Sequence, residues 1–348
     1  MTNYDRIDRI AALPREELQA LLTSHNGSEL EHLFAKARAA REHAYGKAVF
    51  LRGLIEFSSY CKNDCYYCGL RCGNQHAERF RLREDEILDC CRLGYSLGIR
   101  TFVLQSGEDP YFDDARMVPI VQAIRREFPD CAITLSLGER SRESYQALYD
   151  AGANRYLLRH ETANPEHYAK LHPANMRLEN RLCCLQSLRE IGFQVGCGFM
   201  VGSPGQSIEC LLDDLAFLAE FRPEMVGIGP FLPHSATPFA QMPPGTMEQT
   251  LLLLAVTRLL LPNALLPATT ALGSAHPQGR EKALLAGANV IMPNLSPAGA
   301  RKQYALYDGK AGTDADIADV FRGLTDCVER AGYEIAVSRG DPPSNHSL

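Results

Sequence analysis

The sequence has no long basic run, no apolar leader and no hydrophobic stretch long enough to cross a bilayer. Of its 348 residues, 36 are Lys or Arg and 42 are Asp or Glu, a formal net charge of -6. A mildly acidic chain of this kind is a poor partner for nucleic acid. The N-terminal stretch MTNYDRIDRIAALPREELQA alternates charged with apolar residues and lacks a secretory core, so no export is expected. The most apolar stretch, 251–261, is interrupted by Thr257 and Arg258 and falls short of the ~20 residues a spanning helix needs. It reads instead as the buried face of a helix. No Pro-, Ser- or Gly-rich linker divides the chain. These absences predict a soluble, cytoplasmic protein built around one large domain, with no membrane or nucleic-acid partner.

Regular alternation is present instead. The first 47 residues read as helical, with Ser28 and Glu31 in capping-box positions. Short β-rich runs then recur at 49–57, 101–105, 132–137, 155–159, 194–200, 225–229, 265–270 and 289–293. Stretches with apolar residues at helical spacing separate them, at 84–97, 117–128, 142–151, 178–191, 208–221, 246–261 and 280–286. Gly98, Gly152, Gly192 and Gly287 sit where helix C-terminal glycines belong. Eight strands alternating with helices predict an α/β (β/α)8 barrel over residues 49–310. A helical extension (1–48) precedes it and a helical tail (311–348) follows, with a frayed end over 340–348. In such barrels the working residues lie at the C-terminal strand ends.

The 12 cysteines divide into two groups. Cys90, Cys91, Cys131, Cys183, Cys184, Cys197, Cys210 and Cys327 are scattered through apolar segments and read as small buried thiols. Cys61, Cys65 and Cys68 instead follow the first strand with spacing C-x3-C-x2-C. Three thiolates on one loop suit an iron–sulfur cluster, zinc or copper(I). A structural zinc or a ferredoxin-type cluster takes four ligands, and Cys72 is the candidate for a fourth. Three ligands leave one iron open for a substrate.

This loop resembles the radical S-adenosylmethionine (SAM) signature C-x3-C-x-aromatic-C, with Tyr67 in the aromatic slot. The resemblance implies a 4Fe–4S cluster on the three cysteines, an open iron chelated by SAM, and reductive cleavage of SAM to a 5′-deoxyadenosyl radical. Ser106, Gly107 and Glu108 resemble the GGE element that holds the SAM amino group. The strand ends QSGEDP, SLGE, RHETANP, VGIGPFLPH, PATTALG and NVIMPN, with CKNDCYYCGLR, together resemble the HydE-type FeFe-hydrogenase maturases over residues 55–310.

That family resemblance implies a small organometallic substrate, a cysteine-bound iron carbonyl cyanide complex made by a sister radical SAM tyrosine lyase. The radical attacks the cysteine sulfur, and the product passes to a GTPase scaffold. Thr134, Ser136, Glu161 and Arg181 are then SAM contacts, and Gln105 faces the carbonyl ligands. Arg159, Thr269 and Thr270 form an anion site for the substrate carboxylate, and Tyr304 and Tyr307 line the cavity floor. Simpler readings stand beside these. Arg159 pairs with Glu161 or Glu139, the two threonines reflect strand propensity, and the two tyrosines pack a helix on the barrel. His160, His234 and His276 receive no role. Some members of the family carry an accessory cluster on cysteines of the tail. Here only Cys327 follows Tyr307, so one cluster is expected. The competing functions are a radical SAM mutase or synthase on an amino-acid-like substrate, of the methylornithine synthase or biotin synthase kind, and a non-catalytic iron–sulfur carrier.

Overall fold

A computed structural model describes residues 1–313 and 316–343. The N-terminal extension is helical, with helices Asn3–Asp8, Arg15–Thr23 and Gly27–Tyr45. The cap of the last is Asn26, not Ser28: Asn26 accepts from the Glu29 N–H, and Glu29 accepts from the Asn26 N–H. Asn26 and Glu29 carry the same three-residue spacing as Ser28 and Glu31, so the pattern alone left the register open. The apolar helix Met247–Leu260 packs against Gly27–Tyr45, and residues 250–258 are all buried. Among the described residues no helix is long and apolar enough to cross a membrane.

The strands are β1 (Ala48–Leu51), β2 (Gly53–Ser58), β3 (Thr101–Ser106), β4 (Ala132–Ser136), β5 (Arg155–Leu157) and β6 (Gln194–Cys197). They continue with β7 (Met200–Val201), β8 (Met225–Val226), β9 (Gly229–Pro230), β10 (Val290–Ile291) and β11 (Glu334–Ala336). A parallel arc runs β2-β3-β4-β5-β6-β8, with helices outside it. A second parallel sheet has the order β10-β1-β11. Isolated parallel bridges, not continuous ladders, join the ends of the arc: Met225 to Leu265, Pro267 to Val290 and Leu54 to Asn294. This is the parallel α/β architecture expected, with four runs altered, and the run 225–229 divides into β8 in the arc and β9, which pairs with β7.

The run 49–57 divides at Arg52 into two strands on different sheets. The run 194–200 breaks at Gly198, with φ +150°, because a Cβ there would overlap the Gly227 carbonyl oxygen. The run 265–270 is not a regular strand. Pro267 offers no N–H to a ladder, and Thr269 caps a helix, Thr270–Ala275. The four C-terminal glycines all have positive φ, between +83° and +111°. Of the scattered cysteines, Cys183 is exposed and Cys184 half-buried, since both lie near the outer face of helix Leu178–Ile191; the other six are buried.

The tail is not purely helical. Helix Ile317–Arg330 is followed by β11, which pairs with β1. Nor does the chain fray at 340: Arg155, fully buried, donates to the carbonyls of Arg339 (3.0 Å) and Gly340 (3.2 Å) and to Asp341 (2.7 Å). Residues 344–348 of the expected frayed end lie outside the described residues.

Candidate active site

A cavity of about 310 Å3 opens at the C-terminal ends of β2 to β5, the face where such a sheet places its chemistry. Cys61, Cys65 and Cys68 all reach its wall, whereas Cys72 is exposed and does not. Backbone hydrogen bonds hold the cysteine loop from several sides. Lys62 N–H donates to the Glu108 carbonyl (2.9 Å), Tyr66 to Leu171 (3.0 Å) and Gly69 to Leu306 (2.9 Å). Arg79 donates to the carbonyls of Leu70 and Arg71, each at 2.9 Å. Gly107 permits the closest approach: a Cβ there would overlap the Tyr60 carbonyl oxygen and lie 2.8 Å from the Cys61 Cβ.

Burial pushes all three thiols up, Cys68 to about 12, and neighbouring sulfurs add to the shift at Cys65 and Cys68. Among the described residues no three His, Cys, Asp or Glu side chains converge on a single metal ion. The cavity wall nevertheless carries three soft sulfur donors, and a bound cation would reverse their reluctance to ionise. That donor set fits an iron–sulfur cluster.

Tyr67 stands behind the thiols. Its hydroxyl lies 3.2 Å from His172 Nε2. His172 Nδ1 is 2.9 Å from the Tyr168 carbonyl, so Nδ1 carries the proton and Nε2 accepts from Tyr67. Burial lowers His172 to about 4, which keeps the ring neutral.

Ser106, Glu108, Ser136, Glu161 and Arg181 share the cavity with the cysteines. Glu108 accepts from the Glu139 N–H (3.0 Å) and lies 3.4 Å from Lys62 Nζ. It packs on Gly138, where φ is +74° and a Cβ would overlap the carboxylate. Arg181 bonds Glu139 (2.6 Å) and the Arg159 carbonyl (2.9 Å). Glu139 is therefore engaged by Arg181, and Arg159 pairs instead with Glu161, at 3.4 Å. The pairing is incomplete. Arg159 Nε and Nη2 and Glu161 Oε2 are buried without a hydrogen-bond partner.

Glu161 is one of two non-glycine residues with positive φ among those described, at +67°. Such a conformation costs about 1–3 kcal/mol and persists only where the surroundings impose it. Here its N–H donates to the Gly198 carbonyl (3.0 Å) and its carbonyl accepts from Met200 (3.2 Å). His160 and Asp214, both fully buried, support the turn from behind. Gly198 N–H donates to His160 Nδ1 (3.3 Å), so Nε2 carries the proton and faces Asp214 Oδ1 at 3.3 Å. Asp214 also accepts from the Ala163 N–H (2.6 Å). The sequence reading left His160 without a role and missed Asp214. Nothing local marks an Asp in helix Ile208–Phe221 as the partner of a strand end.

On the opposite wall, Gln105 Nε2 donates to the Tyr304 hydroxyl at 3.4 Å, and Tyr307 stands nearby on the same wall. Helix Ala298–Gln303 ends before either tyrosine, so they are not the i and i+3 positions of one helix. Thr269 reaches the cavity while its hydroxyl caps helix Thr270–Ala275. Thr270 does not reach it and faces a neighbouring cavity. Thr134 is also absent from the wall. It lies two residues below Ser136 on β4, buried, with its hydroxyl unpaired. Leu158, Met200 and Phe231 supply apolar wall that the motif reading did not name.

Comparison with known proteins agrees with this geometry. The profile of the Radical SAM superfamily matches residues 55–218. The chain is 48% identical to the [FeFe] hydrogenase maturase subunit HydE of Thermotoga maritima, over 85% of this chain and 84% of that one. It is 31% identical to 3-methylornithine synthase of Methanosarcina acetivorans, over 91% and 88% of the two chains. The crystal structure of methylornithine synthase (PylB) superposes with a TM-score of 0.84 at 29% identity, covering 96% of this chain and 97% of that one. The FeFe-hydrogenase maturase HydG of Carboxydothermus hydrogenoformans shares the fold, with a TM-score of 0.78 at 20% identity over 96% and 78% of the chains.

Proposed function

Because the chain belongs to the HydE-type FeFe-hydrogenase maturases of the radical SAM superfamily, we propose that it works on a cysteine-bound iron carbonyl cyanide precursor of the hydrogenase active site. The observation that carries this reading is Arg159, incompletely paired with Glu161, on the wall of the same cavity as three thiols. Cys61, Cys65 and Cys68 would hold one 4Fe–4S cluster, and with SAM bound this group would supply the 5′-deoxyadenosyl radical for attack on the substrate's cysteine sulfur.

The chain's own residues bind, orient and exclude water. Glu108, on the wall beside the cysteine loop, accepts from the SAM amino group, and Ser106, Ser136, Glu161, Arg181 and Tyr67 fix the rest of the cofactor. Arg159 grips the substrate carboxylate with two parallel hydrogen bonds, a geometry Lys cannot reproduce. Thr269 adds a hydroxyl, and Thr270 acts only by holding the helix that Thr269 caps. Gln105 and Tyr304 meet the metal-ligand end, and Tyr307 closes the floor. Leu158, Met200 and Phe231 keep water from the radical. The partners under this proposal are a radical SAM tyrosine lyase that delivers the substrate and a GTPase scaffold that receives the product.

A second reading, rearrangement of an amino-acid-like substrate, has the close superposition on methylornithine synthase behind it. The 48% identity to the maturase against 31% to the synthase favours the first. The test is activation of inactive FeFe-hydrogenase in a reconstituted maturation mixture. Activation that requires this protein and SAM is expected. SAM cleavage without activation, together with formation of 3-methylornithine, would establish the second reading instead. Absence of reductive SAM cleavage by the reconstituted protein would leave an iron–sulfur carrier.

A further inference from the structure

A second cavity, of about 280 Å3, lies behind the catalytic one, between the segment after β10 and helix Ile317–Arg330. This is several times the ~30 Å3 that a water occupies in the liquid. Among the described residues four cationic side chains line it, Arg280, Arg301, Lys310 and Arg330, against one acid, Asp319.

These cations are not equally compensated. Lys310 Nζ lies 2.5 Å from Glu56 Oε1, and Arg330 Nε lies 2.9 Å from Glu281 Oε2. Asp319 pairs with Arg322 at 3.2 Å on the exposed side of its helix. Arg280 and Arg301 have no carboxylate partner among the described residues. Arg301 is only 7% exposed; among the described residues its Nε has no hydrogen-bond partner and its Nη1 reaches a single carbonyl, that of Gly312, at 3.4 Å. Arg280 packs over Gly273, where a Cβ would stand 3.0 Å from its Nε. Burial lowers its pKa, the sign of a charge held out of water without full compensation.

A guanidinium withdrawn from water needs an anion or several acceptors, and here two share one space that the protein leaves unfilled. We propose that this cavity is a binding site for a compact oxyanion of two negative charges, held by Arg280 and Arg301. Two charges match the two cations that form no ion pair with a described carboxylate. Phosphate and short dicarboxylates share this chemistry. The site is distinct from the Arg159 clamp, because none of its cations lines the catalytic cavity. Lys310 links the two regions, since its Nζ also donates to the Tyr304 carbonyl at 3.0 Å.

Calorimetric titration of the anaerobically reconstituted full chain tests the site, using inorganic phosphate, succinate and chloride at constant ionic strength. Saturable binding of phosphate or succinate is expected, and whichever binds more tightly identifies the source. Arg280→Gln should weaken binding by about tenfold or more, the loss of a charged hydrogen-bonding pair. Arg301→Gln should do the same, but Arg301 is nearly buried, so Arg280→Gln decides if that variant does not fold. Arg159→Gln should leave this binding intact, and so should Arg92→Gln, which alters an exposed pair with Glu127. Binding abolished by Arg159→Gln but kept by Arg280→Gln would put the anion in the catalytic cavity and overturn the proposal. So would equal binding of chloride, or no binding of phosphate and succinate.

Discussion

At position 107 a missing side chain decides whether the cysteine loop reaches the sheet. Gly107→Ala would drive a methyl group into the Tyr60 carbonyl and against Cys61. We expect it to lose cluster iron and SAM affinity together, measured by iron assay and equilibrium dialysis, with the fold retained by circular dichroism. The clamp should respond differently. Arg159→Lys keeps the charge and loses the planar fork, and Thr269→Ala removes the neighbouring hydroxyl. Both should cleave SAM in the absence of substrate and lose about tenfold or more in hydrogenase activation. Full activation by both variants would remove Arg159 and Thr269 from the substrate site. Asp214 acts one step further back. Asp214→Ala leaves the Ala163 N–H without its acceptor in a dry site and removes the carboxylate that His160 Nε2 faces at 3.3 Å. A loss of about 2–3 kcal/mol is expected in denaturant unfolding, and an unchanged midpoint would show that the pair carries no load.

At the scale of elements, the tail closes the end of the sheet opposite the site. Strand β11 adds to β1, and the segment after it crosses beneath β3 and β5, where Thr101 donates to the Arg339 carbonyl (2.8 Å). Gly340 sits so close to Phe50 that a Cβ would lie 2.5 Å from its ring, at a φ of +57°. Asp341 is the carboxylate that Arg155 meets. Partial burial works against the Asp341 charge, and Arg155 outweighs it, holding the carboxyl below its ordinary value of 3.8. A depressed carboxyl stabilises the fold above its unfolded pKa and loses that contribution as pH falls through the folded pKa. Wild type should therefore exceed Asp341→Asn in stability by about 1 kcal/mol near neutral pH, since Asp341 is partly exposed. The difference should shrink as pH falls below 3.8 and through the lowered pKa of Asp341. A gap that persisted at low pH would mean the segment is held by its backbone contacts alone. The sequence offered little warning of this closure. Residues 334–336 are a short run whose partner lies nearly 290 residues earlier at Ala48–Phe50.

At the scale of the whole molecule, the cysteines that line the proposed active site come from one loop. The tail after Tyr307 holds only Cys327, which is buried in helix Ile317–Arg330. Anaerobic reconstitution should give about four irons per chain. The Cys61, Cys65, Cys68 triple Ala variant should lose them, and Cys72→Ser, on an exposed residue outside the cavity, should keep them. Iron retained by the triple variant would point to a second centre. The cysteine loop was legible because its three cysteines are neighbours in the chain, and they share one cavity wall. Most of the proposed SAM and substrate residues were legible for a related reason: they end strands, and a parallel sheet gathers its strand ends on one face. Thr134 and Thr270 failed the same logic. Alternation along β4 places Thr134 a layer below Ser136, and the helix begun at Thr269 turns Thr270 away.

The sequence by itself determined the alternating architecture, the three-cysteine loop, the glycines that end helices and the polar strand ends. Each follows from interactions within a few residues, where backbone geometry and side-chain spacing act directly. Tertiary structure alone decided which charges are compensated. Lys310 meets Glu56 across 254 positions, Gln105 meets Tyr304 across 199, and Arg155 meets Asp341 across 186. It also decided that Glu139 is held by Arg181, which leaves Arg159 with spare donors, and that Arg280 and Arg301 line a cavity whose one described acid, Asp319, pairs with Arg322 instead. A buried charge is satisfied by whatever the folded chain brings within about 4 Å, and no local pattern carries that information.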